Sequence, residues 1–101
     1  MHPLIAAHKP EVAGLCRRFH VRRLEVFGSA VRDDFDPDRS DLDLLVEFEP
    51  VEQLRGRQYA EFKEALEDLF RRRVDLVEAT ALRNPYLKAA IERSKEPFYG
   101  A

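Results

Sequence analysis

The sequence predicts an α/β (α+β) domain in which a small mixed sheet of three or four strands is covered by helices. Three observations carry this expectation. Apolar residues recur at helical spacing in three separate segments, short runs between them alternate or are rich in β-branched residues, and the two kinds of segment interleave along the chain. At 101 residues, with 45% hydrophobic and 36% charged residues, there is room for a single domain over 1–101 with one core, and not for two.

The first helix is marked by Val12, Leu15, Cys16 and Phe19 on one stripe, with Pro10 in its first turn, where a missing N–H costs little. Residues ahead of it are expected as a separate turn or a loosely packed extension, and His20 stands where the helix should end. A short strand follows over Leu24 to Phe27 and stops at Gly28-Ser29. A brief helical turn is expected over 30–32, then a polar loop over 33–40 that contains Pro37. Leu42 to Phe48 reads as the second strand, with Leu42, Leu44, Val46 and Phe48 on one face and Asp41, Asp43, Leu45 and Glu47 on the other.

A long helix is expected from about Leu54 to Phe70. Tyr59, Phe62, Leu66, Leu69 and Phe70 form its core stripe, and Arg57–Glu61 and Lys63–Glu67 are spaced as surface ion pairs. The Arg71-Arg72-Arg73 run complements the helix dipole more readily than it forms a nucleic-acid patch. Val74 to Val77 is the third strand. Asn84-Pro85 opens a last helix with a cap and a first-turn proline, followed by an apolar stripe of Leu87, Ala90 and Ile91. Phe98 and Tyr99 pack the tail or add a strand.

The net charge of −2 argues against general nucleic-acid binding, which depends on a basic surface. A lone cysteine, Cys16, excludes an internal disulfide and reads as a small core hydrophobe. No apolar run is long enough to span a membrane, and the N-terminus has no signal-peptide pattern, so the expected location is cytoplasmic.

The chemistry centres on Asp41 and Asp43. Residues two apart on a strand share a face, about 6.6 Å apart along the backbone, and their carboxylates can converge on hard cations such as Mg²⁺. Two such ions can support in-line displacement at phosphorus. Asp75, between Val74 and Leu76 on the third strand, is the first candidate for a third carboxylate; Glu47 ranks second. Gly28-Ser29 ends a strand just ahead of these aspartates, where a glycine lets phosphate approach the backbone and Ser29 adds a donor. Asp34, Asp36 and Asp38 have the opening spacing of a calcium loop, but Arg39 and Leu45 occupy its glycine and glutamate positions. There is no phosphate-binding P-loop, dinucleotide fingerprint or zinc pattern.

Val26-Phe27-Gly28-Ser29-Ala30-Val31-Arg32, followed by Ser40-Asp41-Leu42-Asp43-Leu44-Leu45-Val46, resembles the minimal nucleotidyltransferases of the DNA polymerase β-like superfamily, whose signature is Gly-Ser, a loop of about ten residues, and Asp-x-Asp. The resemblance extends over nearly the whole chain and implies a polymerase β palm-like fold. It further implies that Gly28 and Ser29 hold the triphosphate of ATP, that Asp41 and Asp43 bind two Mg²⁺ ions, and that Asp75 completes the set and helps activate the acceptor hydroxyl. Arg32 matches an arginine common after Gly-Ser, with phosphate contact and bracing of the acidic loop as its two readings. His20 and Asp33 stand where relatives often have glycine.

Small members of this family often act as antitoxins to a HEPN-domain ribonuclease toxin, transferring AMP to one of its tyrosines. The implied function is therefore an AMP transferase with a HEPN toxin as partner. Two alternatives stand beside it: a non-catalytic antitoxin that occludes its partner through exposed aromatics such as Tyr59, Tyr86 and Tyr99, and nucleotidyl transfer to a small molecule or RNA. The last is disfavoured by the chain's small size and its charge.

Overall fold

Four strands make one sheet in the order β3-β2-β1-β4, with β1 at Val21–Phe27, β2 at Leu42–Phe48, β3 at Val74–Glu78 and β4 at Glu96–Tyr99. The computed structural model describes residues 1–32, 34–50 and 57–100. β1 lies antiparallel to both β2 and β4, whereas β2 and β3 are parallel. A parallel pair needs a crossover, which helix α3 (Arg57–Phe70) supplies. The expected start of this helix at Leu54 lies outside the described residues.

One face of the sheet carries Leu24, Val26, Leu42, Leu44, Val46, Val74 and Leu76 into the core. Against it pack Val12, Cys16 and Phe19, from helix α2 (Lys9–Arg18) and its C-terminal cap, and Phe62, Leu66 and Phe70 from α3. Tyr59, Leu69 and Phe48 border this core and are only partly buried. Burial pushes the Cys16 thiol up to about 12, so it stays a neutral, apolar filler. His20 ends α2 with a φ of 57°, and Arg71 ends α3 with a φ of 52°; each turns the chain in the left-handed region just past its helix.

The N-terminal residues are not a loose extension. Helix α1 (Pro3–Ala6) seats Ile5, 1% exposed, in the main core, and the His2 N–H donates to the Ala30 carbonyl at 2.7 Å. Four residues are too few to show a helical period, so only the tertiary seat of Ile5 reveals this element.

The opposite face carries Glu25, Phe27, Asp43 and Leu45. Helix α4 (Pro85–Ser94) lies against it through the buried Ile91, and Lys95, just past that helix, meets the buried Glu25 at 3.1 Å. Leu87 and Ala90, expected on the buried stripe with Ile91, are exposed, because α4 covers only part of this face. The ion pairs expected along α3 do not form among the described residues. Instead Glu67 accepts the Val74 N–H at 3.0 Å, tying the helix to the start of β3.

Candidate active site

The site begins where β1 stops. Gly28–Ala30 forms a single 3₁₀ turn rather than the expected turn over 30–32. Gly28 has a φ of 73°, a conformation that costs other L-residues. A side chain here would also drive into the Asp43 carboxylate, whose Cγ lies 3.1 Å from the position of a Cβ. Glycine is thus required twice, for its backbone angle and for the approach of a carboxylate.

Strand pairing places the rest. Phe27 is opposite Asp43 across the antiparallel β1–β2 pair, and Asp43 is opposite Asp75 across the parallel β2–β3 pair. Phe27, Asp43 and Asp75 therefore form a row across three adjacent strands, and Gly28, the residue after β1, lies against the Asp43 carboxylate. Asp41 lies one residue ahead of β2, exposed at the same edge, and Asp75 is exposed as well. Partial burial, then the charges of Asp75 and Asp41, push the Asp43 carboxyl up to about 6, and Arg32 opposes the shift.

Among the described residues, no three acidic, histidine or cysteine side chains are close enough to enclose a cation on their own. A set of hard carboxylate oxygens that leaves coordination positions open suits Mg²⁺, which keeps water and phosphate as ligands. The oxygens of Asp41, Asp43 and Asp75 suit such an ion by their chemistry, and Asp43 and Asp75 are paired in register.

Ser29 is half-buried in the turn beside Gly28. Arg32 is exposed and pairs with Asp34 at 3.2 Å, a surface ion pair with the acidic loop. It also lines, with Phe27, Gly28, Asp43, Leu87, Ala90, Ile91 and Ser94, a pocket between the sheet and α4. Glu47 is not part of the cluster. It lies toward the far end of β2, where it accepts from Arg22 and Arg23, both at 3.2 Å. Of the three tyrosines, Tyr86 alone is exposed, at 86%. Tyr59 and Tyr99 are half-buried, and the Tyr59 hydroxyl donates to the Leu76 carbonyl.

Two residues near the site were not assigned a place in it from the sequence. One is Tyr59, expected in the core stripe and as an exposed aromatic for a partner. Burial, then Asp75 and Glu78, raise the Tyr59 phenol, which stays protonated beside the aspartates. Its sequence signal was a hydroxyl at a core-stripe position, which must find an acceptor when buried. The other is Arg72, which lies over the Phe35 ring rather than serving only the helix end.

This fold and site define a nucleotidyltransferase, and residues 12–97 match the nucleotidyltransferase domain family. The chain belongs to that family. It is 41% identical over 88 residues to the protein adenylyltransferase MntA of Thermococcus cleftensis, covering 87% of this chain and 83% of the relative. A solved structure assigned as a minimal nucleotidyltransferase superposes with a TM-score of 0.74 at 38% identity, covering 96% of each chain. The fold also matches, with a TM-score of 0.67 at 18% identity, a chain of the complex between tri-AMPylated Shewanella oneidensis HEPN toxin and its MNT antitoxin, covering 94% of this chain and 71% of that one. Among the described residues no helix is long and apolar enough to cross a membrane.

Proposed function

We propose that this chain is a protein adenylyltransferase that transfers AMP from ATP to a tyrosine of a cognate HEPN toxin and thereby acts as its antitoxin. The observation that carries the chemistry is the pairing of Asp43 and Asp75 on adjacent strands, with Gly28 against the Asp43 carboxylate at the end of β1 and Asp41 just ahead of β2. The 41% identity to a protein adenylyltransferase supports AMP as the group and protein as the acceptor. The HEPN partner is supported by fold likeness to the Shewanella complex.

Asp41, Asp43 and Asp75 would hold Mg²⁺, two ions in this reading, which would neutralise the triphosphate and favour ionisation of the acceptor phenol. The chain's own groups do the rest. Gly28 and Ser29 bring backbone and hydroxyl donors to the phosphate tail, in a turn that itself carries no side chain at Gly28. Arg32, on the same pocket wall, adds a cation toward the phosphates. Asp75 faces solvent at the end of the row opposite Gly28, so it can meet an acceptor brought by a partner and take the phenol proton. In the transfer the phenol oxygen bonds to the α-phosphorus, the bond from that phosphorus to the bridging oxygen breaks, and pyrophosphate leaves.

Incubation with ATP, Mg²⁺ and the toxin is expected to raise the toxin mass by whole AMP residues, and Asp41→Ala with Asp43→Ala is expected to abolish the gain. A folded pair of proteins with no mass gain would overturn the reading. The exposed Tyr86 and Leu87 beside the pocket favour one rival, neutralisation by occlusion. If the double mutant still neutralises the toxin at equal expression, occlusion is the mechanism.

A further inference from the structure

We propose that Arg72 is a positioning residue that fixes Asp41 by clamping the loop ahead of it; the inference rests on reading Asp41 as a metal ligand. The described part of this loop, residues 34–40, is tied to itself. Asp36 N–H donates to Ser40 Oγ at 2.8 Å, Asp38 N–H to Asp36 Oδ1 at 2.9 Å, and Ser40 N–H to the Asp36 carbonyl at 2.8 Å. These bonds make the loop a unit but do not say where that unit sits on the sheet.

Two contacts with the α3–β3 junction do. Phe35, 7% exposed, inserts its ring beneath the Arg72 guanidinium, 4.9 Å from the ring centre, with the His2 ring 4.8 Å away. Arg72 Nη1 also donates to the Ser40 carbonyl at 3.1 Å. The Ser40 carbonyl belongs to the peptide that leads into Asp41. On the other side of Asp41, the Leu42 N–H donates to the Arg73 carbonyl at 3.0 Å. Asp41 is thus bracketed by two bonds from consecutive residues of one junction, although its own side chain stands in solvent.

The arrangement needs arginine. A planar guanidinium can lie on a ring and donate in its own plane at once, whereas a lysine ammonium cannot do both. Arg71, with its φ of 52°, turns the chain past α3 just before Arg72. A solvated helix-end cation would not have its Nε buried; here Nε is buried and has no hydrogen-bond partner among the described residues.

The sign of the expected effect separates clamping from simple charge. Removing a cation near a carboxylate site strengthens cation binding through space, whereas loosening Asp41 weakens it. In the full chain, Arg72→Met is expected to weaken Mn²⁺ binding, followed by electron paramagnetic resonance, on the order of 10-fold, as loss of an outer partner does at other metal sites. Amide hydrogen exchange in metal-free protein is expected to quicken over residues 36–42 and to stay unchanged in β1 and β3. Arg72→Lys is expected to fall between the two proteins in both measurements, and it decides the matter if Arg72→Met fails to fold. Unchanged loop exchange, or undiminished Mn²⁺ affinity, in a folded variant would overturn the clamp. If wild type binds Mn²⁺ no better than Asp41→Ala/Asp43→Ala, the metal reading fails instead, and loop exchange still judges the clamp.

Discussion

Gly28 is the residue on which the site's geometry is most exposed to test. Alanine there meets both a left-handed backbone and the Asp43 carboxylate. Gly28→Ala is expected to cost about 1–2 kcal/mol of stability from the backbone alone, read by chemical denaturation. Displacing Asp43 by a fraction of an ångström to 1 Å is expected to lower AMP transfer by about 100-fold. Asp43 makes a second prediction, about pH. Its carboxyl is pushed from 3.8 up to about 6 in the folded chain, so the folded state holds its proton more tightly than the unfolded one. Stability of metal-free protein from this group is complete below about 4 and is lost as pH rises through about 6. Thermal melts in EDTA are expected to fall across that window in wild type and to stay flatter in Asp43→Asn. Both residues were legible in the sequence, because Gly-Ser at a strand end and aspartates at period two are local patterns. Arg72 was not. An arginine at a helix end has a sufficient local explanation in the dipole, and its contact with Phe35 exists only once α3 and the loop are brought together.

The strands show the same division between local and tertiary information. β2 was legible from Leu42 to Phe48 because Leu42, Leu44, Val46 and Phe48 recur at period two, and β3 was placed by its β-branched residues. β1 starts earlier than its apolar pattern suggests, at Val21. Arg22 and Arg23 hide this start, and both pair with Glu47 on the adjacent strand, Arg23 also reaching Glu25 at 3.7 Å. For α4 the cap was legible and the buried stripe only in part. Asn84 accepts from the Tyr86 and Leu87 N–H groups at 2.9 and 3.2 Å, as Asn-Pro predicts. How much of the helix meets the sheet depends on its crossing, which leaves Leu87 exposed and seats Ile91. Asn84→Ala is expected to cost about 1 kcal/mol, and Ile91→Ala about 2–5 kcal/mol, in denaturant titrations. The cap variant is expected to keep AMP transfer near the wild-type rate, since Asn84 touches no group of the site.

At the scale of the whole molecule, the fold gathers like charges at one sheet edge and leaves them to be balanced from outside. The order β3-β2-β1-β4 puts Asp75 and Asp43 in register on parallel neighbours, and the Asp43 carboxyl is raised by partial burial and then by the charges of Asp75 and Asp41. A site assembled this way trades stability for function. Neutralising the aspartates and supplying their ligand are therefore each expected to stabilise, the first without ligand and the second only where the aspartates remain, so that the ranking of the two proteins reverses between buffers. In EDTA near pH 7, Asp41→Ala/Asp43→Ala is expected to melt at or above the wild-type temperature, because repulsion is removed. With Mg²⁺ and a non-hydrolysable ATP analogue at about 100 times the dissociation constant, the wild type gains about 2.7 kcal/mol. For a domain of this size that corresponds to a rise on the order of 10 °C, and the double variant is expected to show little of it. Scanning calorimetry of both proteins in both buffers gives the four values. A double variant that melts well below wild type in EDTA would mean that the aspartates hold the fold together, contrary to the arrangement described. One that gains as much from Mg²⁺ and nucleotide as wild type would place the ligand elsewhere on the chain.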